Sequence, residues 1–175
     1  GIANTTSATA LACAYLNKAA IEIAGAGTGL DEKGILHKAD VIDKSLKKNQ
    51  ASSLSVIDIL RFFGGFEIAA LTGAYIVAAQ KGLPIVIDGF ITTAAALAAV
   101  KINPECANWF IFSHQSHEQG HQLILKALNA EPLLNLNMRL GEGSGAAIAI
   151  PLLRQACAIH SNMATFSEAG VSTGE

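Results

Sequence analysis

An α/β fold with a parallel sheet is the fold class that this sequence predicts, on three observations. Ile85-Val86-Ile87-Asp88 and Trp109-Phe110-Ile111-Phe112 are short runs of β-branched and aromatic residues bounded by turn residues, the pattern of strands buried on both faces. Helix-length apolar stretches alternate with these runs, as βαβ units require. The chain is 51% hydrophobic but only 6% aromatic, so small side chains dominate and helices can pack closely on a sheet.

The elements follow in order. Asn4-Thr5-Thr6-Ser7 offers N-cap residues for an Ala-rich helix expected over Ala8 to Ala20. Gly25-Ala26-Gly27-Thr28-Gly29 is a glycine-rich loop. Asp31 can cap a helix from Glu32 to Asn49, with Lys44, Lys47 and Lys48 suited to its C-terminal end. Further helices are expected over Ser55 to Phe62 and, beyond the Gly64-Gly65 break, over Glu67 to Gln80. Gly82-Leu83-Pro84 turns the chain into the first strand. After Gly89 a helix is expected from about Thr92 to Lys101; the second strand ends at Ser113 and leads to a helix from about His117 to Leu128. Pro132 to Asn135 is a candidate third strand, and Gly145 to Ala164 is again apolar and helical.

The 175 residues suffice for one domain with a sizeable core, and the net charge of −2 gives no reason to expect nucleic acid or an anionic membrane as partner. The longest apolar runs fall far short of the ~20 residues that span a bilayer. No basic segment followed by an apolar one opens the chain, so no signal peptide is expected. Cys13, Cys106 and Cys157 are odd in number and lack C-x-x-C spacing, which fits reduced thiols in a cytoplasmic protein.

Three polar clusters fall where strands would end and helices begin, the place where open α/β sheets bind ligands. The first is Asp88-Gly89. The second, Ser113-His114-Gln115-Ser116-His117-Glu118-Gln119-Gly120-His121, contains H-E-x-x-H. On a helix that spacing sets two imidazoles on one face beside a glutamate, the arrangement of a zinc hydrolase. Gly120 lies between the histidines, however, and no third ligand is evident. A solvated helix start is the plain alternative. The third reading is an anion site, with Ser113, Ser116 and free amides at a helix N-terminus. The glycine-rich loops and Lys38 agree with a phosphate monoester, although no G-K-[ST] closes a true P-loop. The third cluster, Arg139-Leu140-Gly141-Glu142-Gly143-Ser144-Gly145, sets an uncrowded carboxylate between apolar flanks. Partial desolvation there would raise the pKa of Glu142 and suit it to general-base work.

The stretches GIANTTSATAL at 1–11, GAGTGLDEKGILHK at 25–38, VIDGFITTAAALAA at 86–99, SHQSHEQGH at 113–121 and MRLGEGSGAAIAIPLLRQA at 138–156 together resemble the nicotinate-nucleotide:dimethylbenzimidazole phosphoribosyltransferases. The resemblance implies a three-layer, Rossmann-like α/β fold with a small helical C-terminal subdomain. Residues 1–144 would belong to the nucleotide-binding part and 145–175 to the helical segment. It also implies transfer of the phosphoribosyl group of nicotinate mononucleotide to 5,6-dimethylbenzimidazole, with inversion at the anomeric carbon. Glu142 would be the catalytic base, and Leu140 would pack on the benzimidazole. The phosphate would meet the backbone near Gly1 together with Gly27, Lys38 and Ser116, and Asp88 would line the nucleotide site. No metal or cofactor is implied, and H-E-x-x-H becomes accidental, with His117 and His121 equally dispensable. The partners implied are a second copy, as homodimer, and an N-terminal half bearing much of the benzimidazole pocket. Besides zinc hydrolysis, a non-catalytic nucleotide-binding domain is the competing reading.

Overall fold

A computed structural model describes residues 3–27, 29–138 and 140–172. Gly1, Thr28 and Arg139 therefore lie outside the described residues, and with Gly1 one of the expected phosphate contacts. The helices are α1 (Asn4–Leu16), α2 (Ala20–Ile23), α3 (Glu32–Lys48), α4 (Val56–Phe63), α5 (Phe66–Gln80), α6 (Phe90–Ile102), α7 (Gln119–Ala127) and α8 (Ser144–Asn162). The strands β1 (Ile85–Ile87) and β2 (Phe110–Phe112) pair in parallel, with Ile85, Val86 and Ile87 opposite Phe110, Ile111 and Phe112.

The fold is α/β. The expected third strand reduces to a single bridge between His114 and Leu134 on the far side of β2. Leu133 N–H donates to the Phe112 carbonyl (2.9 Å), Leu134 N–H to Ser113 (3.1 Å), and Gln115 N–H to the Leu134 carbonyl (2.8 Å). Pro132 has no N–H to extend this ladder backwards.

The core centres on α1 and α6, which pack on each other and are apolar around much of their circumference. Ala8, Leu11, Ala12, Ala94, Ala95, Ala96, Ala98 and Ala99 are fully buried. Alanine lets two helices approach closely at little side-chain entropy cost. Helix α1 starts at Asn4, four residues before the expected Ala8, so Thr5 falls in its first turn. The candidate cap residues are thus helical, and the N-cap is Ala3, in the left-handed region at φ 69° without a side-chain cap. Capping is as expected at α3, where Asp31 accepts from Gly34 N–H (2.8 Å), and at α4, where Ser55 accepts from Asp58 N–H (3.1 Å).

The C-terminal helix α8 is bound to this body only near its start. Gly145 and Ala149 are its buried residues, whereas Ile148, Ile150, Leu152 and Ile159 are exposed. Among the described residues no helix is long and apolar enough to cross a membrane.

Candidate active site

The end of β1 organises the site. Asp88 follows Ile87 directly and bonds in two directions. Its carbonyl accepts from the Ser113 hydroxyl (2.9 Å), and its Oδ1 accepts from Ala146 N–H in the first turn of α8 (2.9 Å). A carboxylate bound to the amides of a helix N-terminus is favoured by hydrogen bonding and by the helix dipole. Asp88 therefore fixes the direction in which α8 leaves the sheet. Gly145 makes the approach feasible: a Cβ there would collide with the His114 ring at Nδ1 and lie 2.9 Å from Asp88 Oδ1.

Just before α8, residues Gly141, Glu142 and Gly143 all lie in the left-handed region, at φ 79°, 55° and 76°. Glycine adopts that conformation without steric cost, whereas Glu142 is held in it by its neighbours. The two glycines are thus required by the backbone path. Glu142 itself is exposed, and Leu140 is 78% exposed. The expectation of a partly desolvated carboxylate is not met within this chain. The apolar flanks that suggested it belong to an exposed loop and to the outer faces of α8, so they cover nothing.

Lys38, on α3, is only 6% exposed. Its Nζ donates to Thr5 Oγ1 (3.1 Å) and to the Gly25 carbonyl (3.3 Å). The ion pairs among the described residues are Lys18–Glu22 and Lys44–Asp40, both on the surface, so no carboxylate among them makes a direct ion pair with Lys38. Burial holds its pKa below the ordinary lysine value, and the charge of Glu118 acts the other way. Glu118 reaches this region because Gly25 leaves it room: a Cβ there would overlap Glu118 Oε2. Gly27, at φ 56°, lies against Thr5. Thr5, Gly25, Gly27 and Lys38 thus form one polar nest around a buried cation, the chemistry of an anion site.

Ser116 lies on the loop between β2 and α7. That helix begins at Gln119, two residues after the expected His117, so Ser116 is outside its first turn. Its hydroxyl is buried without a hydrogen-bond partner among the described residues. Its backbone N–H donates to His121 Nδ1 (2.9 Å), and His121 Nε2 lies 2.9 Å from Thr93 Oγ1. Of the Ser116 hydroxyl and helix-start amides expected from the sequence, the hydroxyl is free, whereas the Ser116 amide precedes the helix and is taken by His121. A cavity of about 370 Å³ is lined by residues that include Ser116, Gln115, Gln122, Asn135 and Asn137. A second cavity of about 290 Å³, beside Ala107, Phe110 and Leu128, contains none of the candidate residues.

The two histidines of H-E-x-x-H are not equivalent. His117 is exposed and precedes the helix; His121 is fully buried, with both ring nitrogens bonded inside the protein. His121 has no lone pair left for a metal, and among the described residues no three His, Cys, Asp or Glu side chains are grouped to hold one. The zinc-hydrolase reading loses its ligand set on that geometry. His114, also buried, donates from Nδ1 to Ser113 Oγ (3.1 Å), because the single Ser113 proton is committed to the Asp88 carbonyl.

The sequence does not distinguish a buried, neutral histidine from a metal ligand, and no local signal in it marks Thr93, Thr5 or His114 as functional. Burial lowers the pKa of His121 to about 4; His114 adds to the effect and Asp88 opposes it. Below pH ~6.5 the unfolded chain therefore takes up a proton that the folded chain refuses. Stability contributed by neutral His121 is complete above pH ~6.5 and is lost as the pH falls toward 4. The loss reaches roughly 2–3 kcal/mol by pH ~4.5. Thermal melts between pH 7 and 4.5 test this: His121→Asn should show a shallower acid decline than the parent, and equal declines would assign the acid sensitivity to other groups.

A family model described as phosphoribosyltransferase matches residues 1–171. The nicotinate-nucleotide–dimethylbenzimidazole phosphoribosyltransferase of Xanthomonas axonopodis pv. citri (strain 306) is 62% identical over 172 residues, 98% of this chain and 49% of that protein. The enzyme of the same name from Pseudomonas aeruginosa is 55% identical over the same shares. The crystal structure of CobT from Thermus thermophilus superposes with a TM-score of 0.93 at 42% identity, covering 99% of this chain and 52% of that one. The chain spans about half the length of the curated relatives it matches. It belongs to the nicotinate-nucleotide–dimethylbenzimidazole phosphoribosyltransferase family.

Proposed function

We propose that the protein carrying this chain transfers the 5-phosphoribosyl group of nicotinate mononucleotide to 5,6-dimethylbenzimidazole, releasing nicotinate and α-ribazole 5′-phosphate. The observation that carries this reading is Lys38, a buried cation with no carboxylate partner among the described residues, set among Thr5, Gly25 and Gly27. A buried, unpaired ammonium is costly unless an anion completes it, and a 5′-phosphate is such an anion. Ser116, with its unpartnered hydroxyl, and the backbone at Gly27 and Gly1 are the further contacts in this reading.

In the reaction one benzimidazole nitrogen forms a bond to the anomeric carbon on the face opposite nicotinate. The glycosidic C–N bond breaks, and its electron pair returns to the pyridine nitrogen, which leaves neutral and needs no general acid. The remaining proton on the second benzimidazole nitrogen passes to the Glu142 carboxylate. Inversion follows from attack opposite the leaving group, through an oxocarbenium-like state. Such a centre must be shielded from water. Glu142 and Leu140 are exposed here, so in this reading the benzimidazole side is covered by polypeptide outside this chain.

The same reading divides the chain into a nucleotide-binding part, 1–144, and a helical segment, 145–175. It includes a cytoplasmic homodimer, for which the exposed apolar side chains of α8 supply a surface. Chromatography of the intact protein with both substrates is the test. Nicotinate and an α-nucleotide should appear together in equal amounts. Nicotinate release that does not depend on dimethylbenzimidazole would replace transfer by hydrolysis, and no release would leave a nucleotide-binding domain.

A further inference from the structure

We propose that His121 is a positioning residue for the phosphate end of the site: its unprotonated Nδ1 holds the Ser116 amide, its Nε2–H is anchored on Thr93, and the Ser116 hydroxyl is thereby presented to an anion. The inference rests on the proposed role of Ser116 as a phosphate contact.

Beyond the bridge at His114, the loop from Gln115 to Glu118 is neither helix nor strand, so its backbone groups need other partners. On either side of Ser116 the neighbouring amides bond outward to the chain that follows α7: Gln115 N–H to the Leu134 carbonyl, and His117 N–H to the Met138 carbonyl (3.2 Å). The Ser116 amide takes neither route. It is buried and meets only the imidazole of His121, five residues on and in the first turn of α7. Without that acceptor the loop would keep a buried, unsatisfied N–H, or would rotate to satisfy it and carry the hydroxyl away.

The donor count fixes the tautomer. An N–H that donates to Nδ1 requires a lone pair there, so the ring proton is on Nε2 and donates to Thr93 Oγ1. Thr93 is fully buried on α6, the helix that follows Asp88-Gly89. The ring thus links the loop after β2 to the helix after β1. Gly89 also approaches Ser116 directly, since a Cβ on it would lie 4.0 Å from Ser116 Cβ. The shape requirement is narrow. An asparagine can offer its carbonyl oxygen near the place of Nδ1, whereas a glutamine reaches only the place of Nε2.

The test uses the intact protein and compares His121→Asn with His121→Gln on two donors, nicotinate mononucleotide and nicotinate riboside. His121→Gln should raise KM for the mononucleotide about tenfold, the effect of one misplaced charge-assisted contact, with kcat and the riboside KM unchanged. His121→Asn should stay within about threefold of the parent. Equal losses on both donors, or identical behaviour of Asn and Gln, would overturn the proposal. Should His121→Gln fail to fold, Thr93→Val against Thr93→Ser gives the same comparison: Val should shift the mononucleotide KM and Ser should not, and equal effects would count against the idea. Two readouts do not depend on turnover. The ring ¹⁵N shifts of His121 should report a protonated Nε2 and a bare Nδ1, and the opposite tautomer ends the argument. Inorganic phosphate, titrated into parent and variants, should bind the parent more tightly than His121→Gln. If no nucleotide is turned over, the proposed reaction fails while these two measurements still decide the role of His121.

Discussion

Glu142→Gln is expected to leave the fold and nicotinate mononucleotide binding intact while reducing kcat by ~10²–10⁴, the usual cost of removing a general base. The side chain is exposed on a loop, so the amide disturbs no core packing. Glutamine matches the carboxylate in shape and lacks only its capacity to accept the benzimidazole proton. Steady-state rates with dimethylbenzimidazole check the size of the loss, and it should shrink for an acceptor base that needs no deprotonation. Near-parental kcat with dimethylbenzimidazole would remove Glu142 from the proton transfer.

Lys38→Met should weaken nicotinate mononucleotide by roughly tenfold to a hundredfold relative to nicotinate riboside, as expected when a charge-assisted contact of ~1.5–3 kcal/mol is lost. Methionine suits a buried position because it keeps most of the volume, so a cavity does not confound the result. Burial already favours the neutral amine, so affinity for the phosphate should fall as the pH rises through a pKa below the ordinary lysine value. Calorimetric titration of both ligands across pH measures both effects. Parallel losses for the nucleotide and the riboside would mean that Lys38 supports the fold and does not meet the phosphate.

The strands are legible in the sequence because Ile85–Ile87 and Phe110–Phe112 are short, apolar and bounded by turns, and α3 because Asp31 and the lysines mark its two ends. Local chemistry is sufficient for such elements. The start of α1 is not, because Asn4, Thr5 and Thr6 read locally as caps; in the fold Thr5 serves Lys38, which is 33 residues away. The start of α7 and the fate of H-E-x-x-H depend on which side of one turn is buried, and that follows from packing against Thr93 and the Ser116 loop. Lys38 and the glycines of 25–29 can be grouped as a candidate anion site from the sequence because glycine density and a lysine one helix later are local signals, and the fold brings Lys38 to Gly25. The exposure of Glu142 cannot be read, because apolar neighbours in sequence, such as Leu140 and Ile148, face solvent here.

Asp88 bonds through its backbone to the segment that leads to Ser116 and through its side chain to the helix that follows Glu142. One residue therefore couples the donor end of the proposed reaction to the acceptor end, while the Met138 carbonyl, which accepts from His117 N–H, gives a second tie close to Leu140. Such an arrangement separates two kinds of evolutionary change. If Leu140 packs on the benzimidazole as proposed, substitutions there would retune which aromatic base is accepted without disturbing the ribose phosphate. In that reading a change at Asp88 would alter both at once and leave little room for gradual adjustment.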